Sequence, residues 1–521
     1  MKTKIKKSFS IILLAFLGLS FYANAQAPVL LKDSVGNSNA TNGLVIGNNF
    51  YFNFSVSTNR QQLWKTDGTP SGTQMLKDSF ASILNLVNIN STLYFMGYAS
   101  STSRALWKTD GTKAGTIMVK DFPGTYAQAV GFTTINNVCY FNYQSSSAPF
   151  AIWKTDGTDA GTVLVKSGVA IAAGMPRDLF YLAGTQIVFF GTTATSTSKY
   201  RELWKTDGTD AGTSMIKDSI FSPNAGNVLG EYLNVGSLGF FTVSSGASYS
   251  LWRTDGTSAG TFIVGGGLIA NLTNLNGVLY FRNGSGISAL WKSDGTLTGT
   301  TAISGLDKIG SGMSVMGNSL YLGGKNSYDF EPYKSDGTLA GTVLLKDIRV
   351  GSLAMGSSPT YFTKVNNTMC FVANDSINGN QIWKTDGTTN GTKMAYAVVD
   401  TISSNEAPVA RIALNNYLLF IHGGSVGKLY SLLVASGSTG INTTEETKNI
   451  VNVYPNPSSG ILKIECNSNK NISVQVFNLL GEEVIKQQML NEVDMSNSPK
   501  GIYFVRVNDG TKIHTRKIII Q

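Results

Sequence analysis

Leu63-Trp64-Lys65-Thr66-Asp67-Gly68-Thr69, followed two residues later by Gly72-Thr73, is the stretch on which the reading of the whole chain turns. Near-copies centred on Trp64, Trp107, Trp153, Trp204, Trp252, Trp291, Tyr333 and Trp383 stand 43, 46, 51, 48, 39, 42 and 50 residues apart. All seven tryptophans of the chain occupy this position. A period in the forties with strand-like sequence between the copies marks a propeller or solenoid, whose units bury their faces only against their neighbours.

A second pattern lies between the copies, a short polar turn followed by an aromatic run, as in Asn276-Gly277-Val278-Leu279-Tyr280-Phe281 and Asn366-Asn367-Thr368-Met369-Cys370-Phe371. Asn and Gly tolerate the positive φ of tight hairpins. Each unit therefore reads as four antiparallel strands: A before the Asn turn, B the aromatic run, C the Leu-Trp-Lys-Thr segment and D after Gly-Thr. Val29-Leu30-Leu31-Lys32 resembles a strand D with nothing before it, and 410–433 supplies A, B and a degraded C with no D after it. The expected fold is all-β: a propeller of eight to nine four-stranded blades, closed by strands from both ends of the array.

Leu and Trp alternate in strand C and so point to opposite faces of the blade, which predicts inter-blade packing rather than exposed aromatic platforms for sugars. Asp67, Asp110, Asp156, Asp207, Asp255, Asp294, Asp336 and Asp386 recur in the C to D turn, where Asp-Gly makes a tight reversal. Most of these turns offer one carboxylate, a thin supply for calcium, which takes about six to eight oxygens. Ca2+ is the one cofactor the pattern raises, and none is expected. The basic residue two before each Asp, Lys65 through Lys384 with Arg253 in the fifth copy, lies on the same strand face and is expected to pair with it.

These copies resemble the ELWxTDGT repeat family of secreted bacterial proteins. Only Glu202-Leu203-Trp204-Lys205-Thr206-Asp207-Gly208-Thr209 carries the full wording; Gln62, Ala105, Ala151, Ser250, Ala289 and Gln381 replace the Glu, and Glu331 returns beside Pro332 and Tyr333. The resemblance implies no established chemistry.

The chain has 521 residues, 42% hydrophobic with 56 glycines, which excludes disordered and collagenous classes. Lys2, Lys4, Lys6 and Lys7, the apolar run from Ile11 to Leu19 and Ala23-Asn24-Ala25 read as a signal peptide over 1–25, too short in its apolar part to span a membrane. The formal charge of +9 is spread thinly, with no basic run interleaved with aromatics, so nucleic acid is not an expected partner. Cys139, Cys370 and Cys466 are odd in number and read as small buried apolar side chains. Two histidines, four scattered glutamates in the array and dispersed arginines provide no spacing cue for catalysis, so no catalytic residue is assigned. The competing expectation is a propeller-type carbohydrate-active hydrolase with an axial site.

After the propeller of 26–434, the Ser/Gly/Thr-rich stretch 435–449 reads as a linker, and 450–521 as a small β-sandwich of short alternating strands. Tyr454-Pro455-Asn456-Pro457 with Gly460, the segment Lys500-Gly501-Ile502-Tyr503 and the basic, apolar last strand with Lys517 make this module resemble the type A sorting domain of the type IX secretion system of Bacteroidetes. The resemblance implies passage through the Sec translocon, recognition by the type IX machinery at the outer membrane, and a secreted or surface-displayed product. A surface glycan or a protein is the expected ligand of the array. C to D and A to B turns are uniform, whereas B to C and D to A connections vary in every unit and should emerge on the opposite face, where recognition usually resides. Tyr200, Arg201, Asn227, Arg282 and Tyr328 are the candidate contacts on that face.

Overall fold

The computed structural model describes residues 27–521 apart from 34–42, 58–59, 99–102, 124–127, 146–147, 172–178, 182–186, 194–200, 222–228, 246–247, 285–289, 304, 326–328, 351–355, 397–408, 423–426, 435–450, 467–472, 479–481, 489–491 and 509–512. The proposed signal peptide and linker fall outside the described residues. The chain divides into two units, 1–437 and 438–521.

The first unit contains nine antiparallel sheets among the described residues, each with strands in the order A-B-C-D. Blades 1 to 8 span 44–80, 82–123, 128–167, 169–221, 229–267, 269–303, 308–344 and 360–396. In blade 9, Val29–Lys32 pairs with Lys428–Leu433, so the chain's first strand completes a sheet begun by Val409–Leu414 and Tyr417–His422. The A strands of successive blades pack against one another, which makes A the inner and D the outer strand. Most A strands carry a bulge, as between Leu84 and Val87 or Ala270 and Thr273. In blade 4 the A strand is split into Val169–Ile171 and Leu179–Tyr181.

A buried cluster fills every junction. Leu63 and Phe80 of blade 1 meet Leu93 and Phe95 of blade 2, Leu106 and Phe122 meet Cys139 and Phe141, and so on to Val365 and Ile382 against Leu418 and Phe420. The ninth cluster joins Leu419, Ile421 and Leu429 of blade 9 to Phe50, Phe52 and Phe54 of blade 1. Nine junctions for nine blades close the ring, one blade beyond the usual four to eight.

Strand C supplies both sides of this packing. Leu106 is fully buried against blade 3, whereas Trp107 stands opposite Phe95 in register and stacks on it at 6.5 Å, on the side of blade 1. Trp204 and Trp383 are buried, and the other motif tryptophans are half-buried against the preceding blade. Cys139 and Cys370 are buried free thiols whose pKa is pushed up to about 12 by burial; Cys466 carries no described side chain.

The A to B turns have the left-handed backbone their composition demands, with φ of 52° and 81° at Asn276 and Gly277 and of 49° and 63° at Asn136 and Asn137.

The second unit is a sandwich of a three-stranded sheet (Val451–Tyr454, Ile461–Cys466, Glu492–Asp494) and a four-stranded sheet in the order Glu483–Gln488, Ser473–Phe477, Gly501–Asn508, Ile513–Ile520. Leu462, Ile464, Val474, Val476, Val493, Val505, Val507, Ile518 and Ile520 form its core.

Candidate binding face and sorting module

The repeated turn is built the same way in eight blades. In blade 2, Oδ1 of Asp110 accepts from the amide and hydroxyl of Thr112 at 2.8 Å, the Thr109 hydroxyl accepts the Gly111 amide at 3.0 Å, and Thr109 and Thr116 share a hydroxyl bond of 2.8 Å. Gly115 is obligatory there, since a Cβ would lie 2.1 Å from Asp110 Oδ1. The hydroxyl and amide of the Thr two residues on hold Asp110, Asp156, Asp207, Asp294, Asp336 and Asp386 below the usual carboxylate range. At Asp67 and Asp255 burial opposes the shift, and the hydrogen bonds prevail.

Each turn is also clasped by the preceding blade. Tyr94 Oη donates to the Gly157 carbonyl at 3.3 Å, and Tyr51, Tyr140, Tyr280, Tyr321 and Tyr417 lie against the corresponding glycines of the next turn. Lys154 and Lys334 donate to the carbonyls of Gly208 and Gly387, both at 3.0 Å. Lys120 and Lys166 of strand D reach Asp159 and Asp210, both at 2.6 Å. The expected Lys–Asp pair within a motif is thus replaced by a bond across the junction, because the Gly carbonyl of the next turn faces the lysine's strand; Arg253–Asp255 at 3.5 Å is the one such ion pair seen among the described residues. On this face each of the eight motif carboxylates accepts hydrogen bonds within its own turn.

A pH dependence follows. The eight motif aspartates titrate lower in the folded than in the unfolded chain, so the unfolded state binds more protons around their titration and stability rises with pH there. The contribution is present above the unfolded carboxylate range, near pH 4, and is lost as pH drops through the lowered folded values. The urea midpoint of the full chain is expected to fall from pH 5 to pH 3; a flat profile would refute this.

On the opposite face, Arg282 belongs to strand B of blade 6 rather than to a connection: it pairs with Ala270 and Leu290, and its Nε is buried without a partner. Asn283, buried, takes the Leu268 amide and donates to the Gly266 carbonyl, which prolongs the strand. Gly265, Gly266 and Gly267 likewise lie in strand D and not in a connection, paired with Leu251, Ser250 and Tyr249. Arg201 opens strand C of blade 4 opposite Phe221. Tyr200, Asn227 and Tyr328 lie outside the described residues.

Hydrogen bonds order parts of two connections on this face, after strand D of blade 7 and between strands B and C of blade 8. Buried Glu331 accepts from the amides of Ile348, Arg349 and Ser357, and from the Ser357 hydroxyl, fixing the D to A connection. The Ser357 carbonyl in turn accepts from the Asn374 amide at 2.8 Å, where the next B to C turn begins. Asp375 orders that turn by accepting the Ile377 and Asn378 amides, leaving Ile377 86% exposed. Carboxylate oxygens of Asp329, Glu331 and Asp347 lie within 4.8 Å of one another, but Glu331 is saturated by its four donors, so its oxygens are poor metal ligands. The return of Glu at the repeat's variable position in this one divergent copy is the sequence signal for this anchor.

In the second unit, Asn456 of the motif serves the last strand and Tyr503 the core. Asn456, between exposed Pro455 and Pro457, donates Nδ2 to the Lys517 carbonyl and accepts the Ile519 amide, both at 2.9 Å. Ser458, which sequence reading left unassigned, continues this clamp: its amide donates to Ile519 and its carbonyl accepts from Gln521. Gly460 fits because a Cβ would meet Ser496 Oγ at 2.5 Å. Tyr454 bonds Glu465, Gly501 opens its strand, and buried Tyr503 donates to the Pro499 carbonyl at 2.7 Å. Lys517 projects into solvent.

Residues 452–521 match the family described as the secretion system C-terminal sorting domain. The second unit is a sorting domain. Its presence implies export, to the cell surface or the medium. No curated protein matches the chain. Among solved structures, the chain is similar to puromycin hydrolase (12% identity, TM-score 0.39, 76% of this chain and 60% of that one). It is also similar to the β-propeller domain of the Trilobed protease from Pyrococcus furiosus (14%, 0.31, 49% and 82%) and to an uncharacterized protein from Listeria monocytogenes (9%, 0.36, 73% and 100%). The chain thus spans about three fifths of the length of the hydrolase it matches. At such identities these likenesses concern the fold alone.

Proposed function

We propose that this protein is a secreted or surface-displayed binding module of the ELWxTDGT type from a Bacteroidetes-like bacterium, exported by the type IX system through its sorting domain. Its propeller recognises a glycan or protein with the B to C and D to A face. The observation that carries the export reading is the sorting-domain match together with the Asn456 and Ser458 clamp that assembles its motifs into one folded unit. Binding is favoured over hydrolysis because the eight recurrent carboxylates are consumed in turns on the uniform face, while on the other the hydrogen-bonded Asp375 turn presents an exposed Ile377.

Deleting 451–521 in a host with type IX machinery is expected to trap a folded propeller in the periplasm. Undiminished surface and medium levels of the truncated chain would overturn the export reading. For the binding face, exchanging the Asp375–Gly379 turn for a Gly-Ser turn should remove ligand capture on a glycan or surface-protein array and leave the melting curve within about 2 °C. Loss of capture on altering the Thr-Asp-Gly-Thr turns alone would reverse the assignment of faces.

A further inference from the structure

The sorting domain has two solvent-facing sheet surfaces of different chemistry. The three-stranded sheet presents Lys463, Glu465, Glu492 and Asp494, charges of mixed sign, beside exposed Ile461. Across the four-stranded sheet, Phe477, Phe504 and Lys517 stand side by side in register, flanked by the paired Ile502 and Ile519 and by Arg506. These six side chains alternate with the core residues Val476, Tyr503, Val505, Ile518 and Ile520 and so point outward. Arg506 lies over Phe477, its Cζ 4.8 Å from the ring centroid, and Glu483 stands opposite Phe477 on the edge strand. On this face Ile519 is exposed and Phe477, Ile502 and Phe504 are half-buried, in one apolar strip that carries the exposed cations Arg506 and Lys517.

From this we infer that the outer face of the four-stranded sheet is the surface by which the module docks on its export receptor, and that the receptor presents an apolar surface carrying carboxylates. The inference rests on the export reading above. Charge complementarity selects the partner: the two cations within this apolar patch favour an anionic protein surface. The geometry also disfavours one route, strand addition along the last strand. Strand addition needs a free strand edge, but Asn456 and Ser458 occupy that of the last strand over 517–521. The Tyr-Pro-Asn-Pro segment is thereby an edge guard that also holds Lys517 and Ile519 in register with Phe504 and Ile502.

The test uses the full chain in a type IX host, comparing the exported fraction of wild type, the 451–521 deletion, Arg506→Glu/Lys517→Glu, the milder Arg506→Gln/Lys517→Gln, and Lys463→Glu on the mixed-sign sheet. Charge reversal is expected to lower export about tenfold and neutralisation severalfold, with Lys463→Glu unaffected. Purified protein should keep wild-type melting and protease resistance in the neutralised variant, so that a loss there reports docking. If the deletion blocks export but both double variants are exported as wild type, the docking face is wrong and the export reading stands. Equal losses for Lys463→Glu and the double variants would also overturn the inference, as general sensitivity of the module. If the deletion itself is exported normally, the export reading fails and the inference with it.

Discussion

Replacing Trp204 by alanine is expected to destabilise the propeller by about 3 to 5 kcal/mol, the cost of removing a large buried aromatic. Trp204 is 8% exposed, stacks on Phe189 at 6.4 Å and fills the junction of blades 3 and 4 with Ile152, Val165 and Ile187. Its Nε1 donates to Glu202 Oε2 at 2.8 Å, so the substitution also strands a buried carboxylate that had an indole partner. Trp204→Phe should recover most of the packing but not that bond, and lose about 1 to 2 kcal/mol. Urea unfolding of the full chain provides the measurement. A change below about 1 kcal/mol for the alanine variant would mean that the ring does not carry the junction.

This bond is one use of the Glu position of the repeat, made in two copies. Glu202 and Gln62 each accept from the indole two residues on, at 2.8 and 3.0 Å. Where Ala105 stands instead, Trp107 Nε1 is buried without a partner. Trp383 Nε1 is also buried without a partner although Gln381 stands at the same position, so the residue there permits the bond without ensuring it.

The parts of the fold legible in the sequence are those set by local chemistry. Leu–Trp alternation specified two junctions per strand C, Asn-Gly specified the A to B hairpins, and the orphan Val29–Lys32 strand specified closure. What was not legible depends on contacts across junctions. Nothing in Leu93-Tyr94-Phe95 says that the Tyr94 hydroxyl reaches Gly157, 63 residues on, and nothing in Lys154 says that its partner is a carbonyl of the next blade. Strand ends were misplaced for the same reason: Arg282 looked like loop, yet the bonds of Asn283 to Gly266 and Leu268 carry strand B past it. In the sorting domain the motifs were visible but their purpose was not, since Asn456 acts on residues 61 and 63 positions away.

Glu331→Ala is expected to cost a further stability loss of about 3 to 5 kcal/mol, because it leaves three backbone amides and one hydroxyl in a buried site without their acceptor. Glu331 is 2% exposed, and burial raises its carboxyl above the usual range even though the Ser357 hydroxyl and the amides of Ile348, Ser357 and Arg349 favour its charged form. The sign of its pH effect is opposite to that of the motif aspartates. With the folded value above the unfolded one, the folded state binds more protons between the two, so this group's contribution weakens as pH rises through that interval. Glu331→Gln separates the terms: its carbonyl can still accept, but its amide nitrogen would face donors. It should therefore fall between wild type and alanine, and lose the upward-pH weakening. The consequence for recognition is local. With Glu331 gone, the 345–350 segment and Ser357 lose their common anchor, and the Ser357 bond to Asn374 that links them to the Asp375 turn is weakened with them. Hydrogen exchange should accelerate at Ile348, Arg349, Ser357 and Asn374 well beyond the change at Leu320 or Leu322 in strand B of the same blade. Uniform acceleration across blade 7 would instead show that the carboxylate supports the blade as a whole and not its connections.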